Sequence, residues 1–241
     1  MTVYLVGAGP GAADLLTVRA VRILERAEVV VHDRLVETEV LDLVARGAEV
    51  HDVGKTPGGP DNQSAINALL VATARTGRTV VRLKGGDPFL FGRGGEELEA
   101  LAEAGIDAEV VPGITSAFFA PLAAGIPVTH RGRSCGVAVV TARGCERDPE
   151  LARLARADLT IVILMGVARR GAIARELIEG GLDPATPVAV VERASTPTER
   201  VQRSALGDLG SLRVAAPAVI VVGAVAALDL ARGAVAAASA R

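Results

Sequence analysis

Runs of β-branched residues alternate with stretches of helical periodicity along most of the chain. Val3–Val6 predicts a strand, and Leu15–Ala27 predicts a helix because its apolar residues recur every three or four positions. The same pattern predicts further strands at 29–31, 80–83 and 108–111, and further helices at 37–45, 64–76 and 96–104. This alternation is typical of α/β folds with mainly parallel sheets.

The alternation breaks at Pro112-Gly113 and starts again from Gly136. The second part of the chain predicts strands near 137–141, 159–164, 188–191 and 218–222, with helices between them. We therefore expect an α/β fold of two sub-domains, residues 1–112 and 113–241, joined around residues 112–135. Ligands in such folds lie beyond the carboxyl ends of strands, and a joint between domains is a favoured cleft.

Composition is typical of a well-packed globular protein. Of the 241 residues, 50% are hydrophobic and 22% are charged, and the net charge is -2. Because no basic stripe accompanies this balance, the sequence argues against a nucleic-acid partner. The longest uncharged apolar run, residues 214–228, is shorter than the roughly 20 residues that span a bilayer. Met1 leads directly into a strand, so we expect no signal peptide, no membrane partner and a cytoplasmic protein.

Cysteine, histidine and lysine are all rare in the chain. Cys135 and Cys145 form no paired motif and the histidines are scattered, so neither a disulfide framework nor a metal site is predicted. Of 26 basic residues only Lys55 and Lys84 are lysines, and both adjoin glycines. Either they persist by chance, or these two positions need a compact ammonium whose pKa can be tuned.

The segment Val80–Glu97, VVRLKGGDPFLFGRGGEE, is the strongest candidate for a ligand-binding loop. Two of the four phenylalanines lie in it, in a chain with one tyrosine and no tryptophan. Two glycines directly after a buried strand let a ligand approach the backbone closely. Asp87 either fixes the turn that follows or faces the ligand, and both interpretations stay open.

The loop after the first strand, GAGPGA at residues 7–12, satisfies the dinucleotide fingerprint only superficially. Pro10 has no N–H to donate where a dinucleotide loop supplies an amide to the pyrophosphate. Asp33, after the second strand, either caps a loop or acts as a base whose ionised form its neighbouring histidine and arginine favour. Thr115-Ser116 either begin a helix or bind a ligand, and Met165 lies either in the core or in the site.

Taken in order, the loop motifs resemble those of one family. They are LVGAGPG (5–11), HDRLV (32–36), VGK (53–55), RLKGGDPFLFGRGGEE (82–97), VPGITSA (111–117), AGIPVTHR (124–131), LMG (164–166) and ASTP (194–197). The series is similar to that of the tetrapyrrole methylases over about residues 2–226, and closest to the members that methylate uroporphyrinogen III. No fused dehydrogenase or uroporphyrinogen-III synthase domain accompanies it, so we expect the stand-alone form.

The resemblance implies a methyltransferase with S-adenosylmethionine as the methyl donor, released as S-adenosylhomocysteine. It implies a donor site in the cleft between two α/β domains, and a homodimer. It also implies two successive methylations of uroporphyrinogen III, at carbons 2 and 7. These give precorrin-1 and then precorrin-2, which feeds sirohaem and cobalamin synthesis.

The resemblance also implies roles for individual residues, by their positions in these motifs. Asp33 matches the proton acceptor and Lys55 the proton donor, and Arg131 is the candidate for binding a substrate carboxylate. The residues implied to contact the donor are Pro10, Gly85, Gly86, Asp87, Leu90, Thr115, Ser116, Met165 and Ala194.

Three departures from the family pattern lie on the substrate side. His32 stands where tyrosine is usual, Thr141-Ala142-Arg143 replaces Thr-Gly-His, and Glu199 replaces the glutamine after ASTP. One alternative is therefore a methyltransferase of a later precorrin. Relatives that modify diphthamide precursors or a ribosomal RNA ribose lack this motif set. A further alternative is a non-catalytic nucleotide-binding module, in which Asp33 and Lys55 are structural.

Overall fold

The computed structural model describes residues 2–54, 62–143 and 151–230. The chain divides into two compact units, Met1–Thr115 and Ser116–Arg241. Within the described ranges, no helix is both long and apolar enough to cross a membrane. Lys55, the predicted proton donor, and Cys145 lie outside the described residues.

The first unit contains a five-stranded sheet whose described strand pairs are all parallel. Its strands, in spatial order β3-β2-β4-β1-β5, are β1 (Thr2–Gly7), β2 (Val29–His32), β3 (Glu49–Asp52), β4 (Val80–Lys84) and β5 (Asp107–Val111). β2 and β4 are buried along their whole length, as valine-rich strands covered on both faces should be. Arg82 of β4 lies in register between Leu5 of β1 and Val31 of β2.

Helices cover both faces of this sheet. They are α1 (Val18–Leu24), α2 (Thr38–Leu41), α3 (Gln63–Ala74) and α4 (Gly94–Glu103), with a 3-10 turn at Ala13–Leu15. Leu24 of α1 packs in one apolar cluster with Val30 and Val81, whereas Leu70 of α3 and Leu101 of α4 pack in a cluster on the other face. Successive strand residues point to opposite faces, so the sheet supplies both clusters.

The helix predicted from Leu15 begins three residues later than expected. Thr17 precedes α1, and its side-chain oxygen accepts a hydrogen bond from the backbone N–H of Ala20 at 3.2 Å. This N-cap satisfies an amide that has no partner within the helix. The other predicted helices and strands of the first unit are confirmed, with ends shifted by a few residues, but β3 was not predicted because its sequence EVHD is polar.

The second unit contains a mixed five-stranded sheet. Its strands, in spatial order β6-β7-β10-β8-β9, are β6 (Val137–Thr141), β7 (Thr160–Leu164), β8 (Pro187–Glu192), β9 (Arg200–Ala205) and β10 (Ala218–Val222). Its helices are α5 (Ser116–Ala123), α6 (Leu151–Leu154) and α7 (Arg170–Glu179), with 3-10 turns at Val167–Arg169, Leu206–Ser211 and Ala224–Ala227. Buried residues of α6, α7, β7, β8 and β10 form one apolar cluster on this sheet.

The prediction of mainly parallel sheets is wrong for this second unit. Of its described strand pairs only β6–β7 is parallel, while β7–β10, β10–β8 and β8–β9 are antiparallel. A short connection between β8 and β9 forces an antiparallel pair, because parallel neighbours need a long crossover. β9 was not predicted as a strand because its sequence RVQRSA is too polar for a core strand.

Candidate functional site

The candidate site of the first unit lies at the carboxyl edge of its sheet. Because the strands are parallel, the loops after β1, β2, β4 and β5 leave the sheet at the same edge. These loops carry Pro10, Asp33, Gly85-Gly86-Asp87 and Thr115. The structure therefore places predicted residues as distant in sequence as Pro10 and Thr115 at one edge of the sheet.

Backbone contacts hold the loops after β1 and β4 together. The N–H of Ala8 donates to the carbonyl of Lys84 at 2.7 Å, and the N–H of Gly9 donates to the carbonyl of Gly86 at 3.2 Å. The N–H of Gly86 in turn donates to the carbonyl of Gly9 at 2.8 Å. This isolated bridge fixes the two glycine loops side by side, so neither can shift alone.

The loop after β5 packs directly on these two loops through glycine. A Cβ atom on Gly7 would lie 2.5 Å from the nitrogen of Gly113 and 2.7 Å from the carbonyl oxygen of Gly86. A Cβ atom on Gly113 would overlap the same carbonyl oxygen and approach the Cα of Gly7 to 2.7 Å. Backbone meets backbone here, and no side chain larger than a hydrogen fits.

Asp87 uses both carboxylate oxygens on backbone amides. Its Oδ1 accepts from the N–H of Phe89 at 2.9 Å, and its Oδ2 accepts from the N–H of Gly113 at 3.2 Å. The first bond fixes the Asp-Pro turn, and the second ties that turn to the loop after β5. The turn-fixing interpretation of Asp87 is thus confirmed, and contact with a ligand stays a prediction.

Non-glycine residues with left-handed backbone angles gather on the motif loops. Among the described residues they are Phe91 (φ 53), Arg93 (φ 59), Met165 (φ 55), Arg193 (φ 47) and Ser195 (φ 70). Such conformations are uncommon outside glycine and cluster at functional sites. The first two lie in the loop between β4 and α4, and the others follow β7 and β8. All three loops carry residues that are predicted to contact the donor.

Two predicted residues of the second unit, Met165 and Ala194, share a sheet edge. β7 and β8 both run antiparallel to β10, so Met165 after β7 and Ala194 after β8 leave the sheet at the same edge. Met165 is 44% exposed, so the interpretation as a core residue is wrong. Ser116 begins α5, and Arg131 is exposed in a turn closed by the His130–Ser134 bridge.

A buried network of charged side chains lies beneath the loop between β4 and α4. The Nε of Arg82 donates to Glu97 Oε1 at 3.0 Å, and its Nη2 donates to Asp33 Oδ1 at 2.5 Å. Lys84 Nζ donates to both Glu97 oxygens, at 3.0 and 2.9 Å. We call Asp33, Arg82, Lys84 and Glu97 the buried charge network.

Arg82 and Glu97 were not predicted to have a role, although the sequence contains a signal for a buried ion pair. Arg82 is 2% exposed and Glu97 is 0% exposed, and a charged side chain in an otherwise valine-rich strand needs a buried partner. Glu97 lies in the first turn of α4, where a carboxylate also interacts favourably with the helix dipole. The partner of Arg82 could therefore have been sought among acidic residues in the first turns of the predicted helices.

Lys84 acts as a buried counter-ion in this network. Burial of its ammonium, followed by the nearby charge of Arg82, lowers the pKa of Lys84 below its ordinary value, while Glu97 and Asp33 oppose that shift. A Cβ atom on Gly92 would lie 3.3 Å from Lys84 Cε, so the lysine stem packs against the turn above it. The compact ammonium therefore has a structural use at this position.

Comparisons with known proteins match this chain to one family. The family model for Tetrapyrrole (Corrin/Porphyrin) Methylases matches residues 2–210. An S-adenosyl-L-methionine-dependent uroporphyrinogen III methyltransferase of Methanosarcina barkeri is 47% identical over 92% of this chain and 90% of its own length. Siroheme synthase 2 of Aeromonas hydrophila is 48% identical over 94% of this chain. The chain spans about half the length of such siroheme synthases, 49% in this case.

Solved structures of related proteins have the same fold as this chain. Uroporphyrin-III C-methyl transferase from Thermus thermophilus, complexed with S-adenyl homocysteine, is 46% identical with a TM-score of 0.82 over 93% of both chains. A cobalt precorrin-4 methyltransferase is 31% identical with a TM-score of 0.81, over 92% of this chain and 94% of its own.

Proposed function

Because the chain belongs to the tetrapyrrole methylase family, we propose that it is an S-adenosylmethionine-dependent C-methyltransferase of uroporphyrinogen III. Two methyl transfers, to carbons 2 and 7, would give precorrin-1 and then precorrin-2. The observation that carries the proposal is the gathering of the family's loop motifs at the carboxyl edge of the first sheet. The names of the Methanosarcina and Thermus relatives support the same substrate and donor.

We assign donor binding to the glycine loops after β1 and β4. The half-buried backbone at Gly85 and Gly86, fixed by the bridge to Gly9, is a surface that a ligand can approach closely. Pro10, Asp87, Leu90, Thr115, Ser116, Met165 and Ala194 complete the proposed set. The donor supplies a methyl group on a sulfonium centre, which is already electrophilic. The protein's main task is therefore to orient the two reactants.

We assign proton transfer to Asp33 and Lys55. When the pyrrole carbon donates its electron pair to the methyl carbon, positive charge develops on the ring system, and the ring must later lose a proton. A carboxylate can stabilise that charge and accept the proton. The Asp33 side chain is 32% exposed and Arg82 holds its Oδ1, while Oδ2 accepts no hydrogen bond from the described residues.

We assign recognition of the substrate carboxylates to arginine, with Arg131 as the first candidate. Uroporphyrinogen III carries eight carboxylates, and guanidinium groups bind carboxylates with two parallel hydrogen bonds. The exposed position of Arg131 in the 130–134 turn is compatible with that role. A local cation is needed because the net charge of the chain, -2, gives no general attraction for an acidic substrate.

A methyltransferase of a later precorrin is the second candidate. The likeness to the cobalt precorrin-4 methyltransferase supports it, at lower identity. The sequence also departs from the family pattern at His32, Ala142 and Arg143.

We propose a cytoplasmic homodimer that has neither a membrane nor a nucleic-acid partner. The family resemblance supports the dimer, and the absence of a basic stripe in the sequence argues against nucleic acid. Light scattering of the purified protein should give twice the chain mass, and a monomeric mass would contradict the dimer.

A methyl-transfer assay tests the function. The protein is incubated with uroporphyrinogen III and isotopically labelled S-adenosylmethionine, and the product mass and absorbance are followed. A gain of two methyl groups supports the proposal. Transfer only to a later precorrin supports the second candidate, and donor binding without any transfer supports a non-catalytic module.

Single variants test the two proton-transfer roles. Asp33→Ala and Lys55→Ala should each lower the turnover number while leaving the donor dissociation constant largely unchanged, because neither residue is assigned to the donor. Asp42→Ala is the matched control, since Asp42 is an exposed carboxylate at the end of α2. Rates equal to that of the control in both variants would exclude these roles.

A further inference from the structure

The guanidinium of Arg82 is fixed by four acceptors at once. Nε donates to Glu97 Oε1 at 3.0 Å and Nη2 donates to Asp33 Oδ1 at 2.5 Å. Nη1 donates to the carbonyl oxygens of Leu83 at 3.2 Å and Val31 at 3.4 Å. The planar group thereby connects the end of β2, the middle of β4 and the first turn of α4. It cannot rotate without losing several of these bonds at once.

Asp33 is held from two directions. Its backbone N–H donates to the carbonyl of Leu83 at 3.2 Å, which continues the β2–β4 pairing by one residue. Its side chain is held by Arg82 through one oxygen only. The carboxylate is therefore fixed at the exit of the sheet, and its second oxygen makes no hydrogen bond within the described parts of the chain.

Stability alone does not account for an arginine at this position. Valines occupy the two preceding positions of β4, and apolar side chains in place of Arg82, Lys84 and Glu97 together would suit a strand that is buried throughout. Replacing buried ion pairs by apolar residues of similar volume is often neutral or stabilising, because burial of charge is costly. An arginine that reaches from Glu97 to Asp33 has a different consequence, since it fixes the orientation of the Asp33 carboxylate.

We propose that Arg82 is a positioning residue for the methyl-transfer reaction: it fixes Asp33 with one oxygen bound and the other available for the proton. Glu97 anchors Arg82 from the helix side. This inference rests on the proposed role of Asp33 as proton acceptor. In that reaction a C–H bond of the methylene bridge beside the methylated pyrrole breaks, its electron pair forms a double bond to that pyrrole and neutralises the positive charge, and the proton passes to the carboxylate.

Arg82→Lys is the first test variant. A lysine keeps the positive charge, but its single nitrogen cannot bind Glu97 and Asp33 in the arginine's forked geometry. The turnover number should fall about 10- to 100-fold, the scale expected when a reacting group is misplaced by about 1 Å. The dissociation constant of S-adenosylmethionine, measured by calorimetry, should change less than about threefold, a shift under 1 kcal/mol.

Arg82→Gln is the second variant, and it is expected to fold because Glu97 still has Lys84 as its buried counter-ion. Arg78→Lys is the matched control, since Arg78 is half-buried just before β4 and pairs with Glu49 at 2.8 Å, outside the buried charge network. Urea unfolding of each variant reports whether the fold is kept.

A double-variant comparison separates positioning from a merely structural role. If Arg82 acts through Asp33, adding Arg82→Lys or Arg82→Gln to Asp33→Ala should lower the turnover number by less than about threefold. An equal loss in the wild-type and Asp33→Ala backgrounds would show that Arg82 acts elsewhere and would overturn the inference. Normal turnover of the single Arg82 variants, together with slow turnover of Asp33→Ala, would also overturn the inference. That result would leave the proposed function intact. Normal turnover of Asp33→Ala, or no transfer by the wild type, would overturn the proposed role and the inference together.

Discussion

Replacement of Glu97 by glutamine should destabilise the first unit strongly. Glu97 is 0% exposed and accepts hydrogen bonds from Arg82, Lys84 and Gln63. Glutamine has the same shape but no charge, and its NH2 group would replace one accepting oxygen with a donor. Arg82 would keep Asp33 as a counter-ion, whereas Lys84 would lose its ion-pair partner among the described residues.

The magnitude follows from leaving this lysine buried without a counter-ion. Removing one partner of a buried ion pair costs about 3–5 kcal/mol, and a whole domain is stable by only about 5–15 kcal/mol. The neighbouring Glu96 is the matched control, because it is 49% exposed and pairs with Arg93, which is also on the surface. An exposed pair contributes at most about 1 kcal/mol, so Glu96→Gln should have a small effect.

Tyrosine fluorescence during urea unfolding reports the unfolding of the first unit, in which Glu97 lies. The chain has a single tyrosine, Tyr4, and no tryptophan, and Tyr4 lies in β1 of the first sheet. The free energy of unfolding of Glu97→Gln should fall by about 3–5 kcal/mol relative to the wild type. A loss below about 1 kcal/mol, equal to that of Glu96→Gln, would refute the reasoning that the buried network depends on this charge.

Three further predictions concern backbone packing, titration and helix capping. Gly113→Ala should destabilise the first unit by about 1–3 kcal/mol in the same urea assay, because its Cβ would overlap the loop after β4, whereas Gly95→Ala, with open space around its Cβ, should cost nothing. Burial lowers the pKa of Lys84 from its ordinary 10.5, so as the pH approaches 10.5 the unfolded chain holds a proton that the folded chain has lost. The free energy of unfolding of the wild type, measured relative to that of Lys84→Met, should therefore rise as the pH increases toward 10.5. A difference between the two proteins that does not vary with pH would contradict the burial argument. Thr17→Ala should lower the free energy of unfolding by about 1 kcal/mol, because it removes the hydrogen bond that caps α1. Thr17→Ser keeps the hydroxyl and should show no such loss.

The centre of the first sheet was predictable because β2 and β4 are buried on both faces. Continuous valine-rich runs at 29–31 and 80–83 predict such strands from local sequence alone, and both are confirmed. The edge strands β3 and β9 were not predicted, since their sequences EVHD and RVQRSA are polar. Such strands form because a neighbouring strand offers backbone hydrogen-bond partners, which no local pattern reveals.

The candidate site was predictable as loops but not as a charge network. Glycine and proline motifs after strands predicted the loops, because these residues impose local backbone geometry. The ion pairs of Arg82 with Asp33 and Glu97 join residues 49 and 15 positions apart. Their pairing depends on the β2–β4 register and on where α4 begins above the sheet.

The sequence by itself determined the alternation of strands and helices and the loops that carry the family motifs. These depend on local burial and local backbone geometry, which are properties of short segments. The tertiary structure alone decided that the second sheet is mixed and that Asp87 binds two backbone amides. It also decided that Arg82 joins Asp33 to Glu97, because strand direction and buried ion pairs depend on partners distant in sequence.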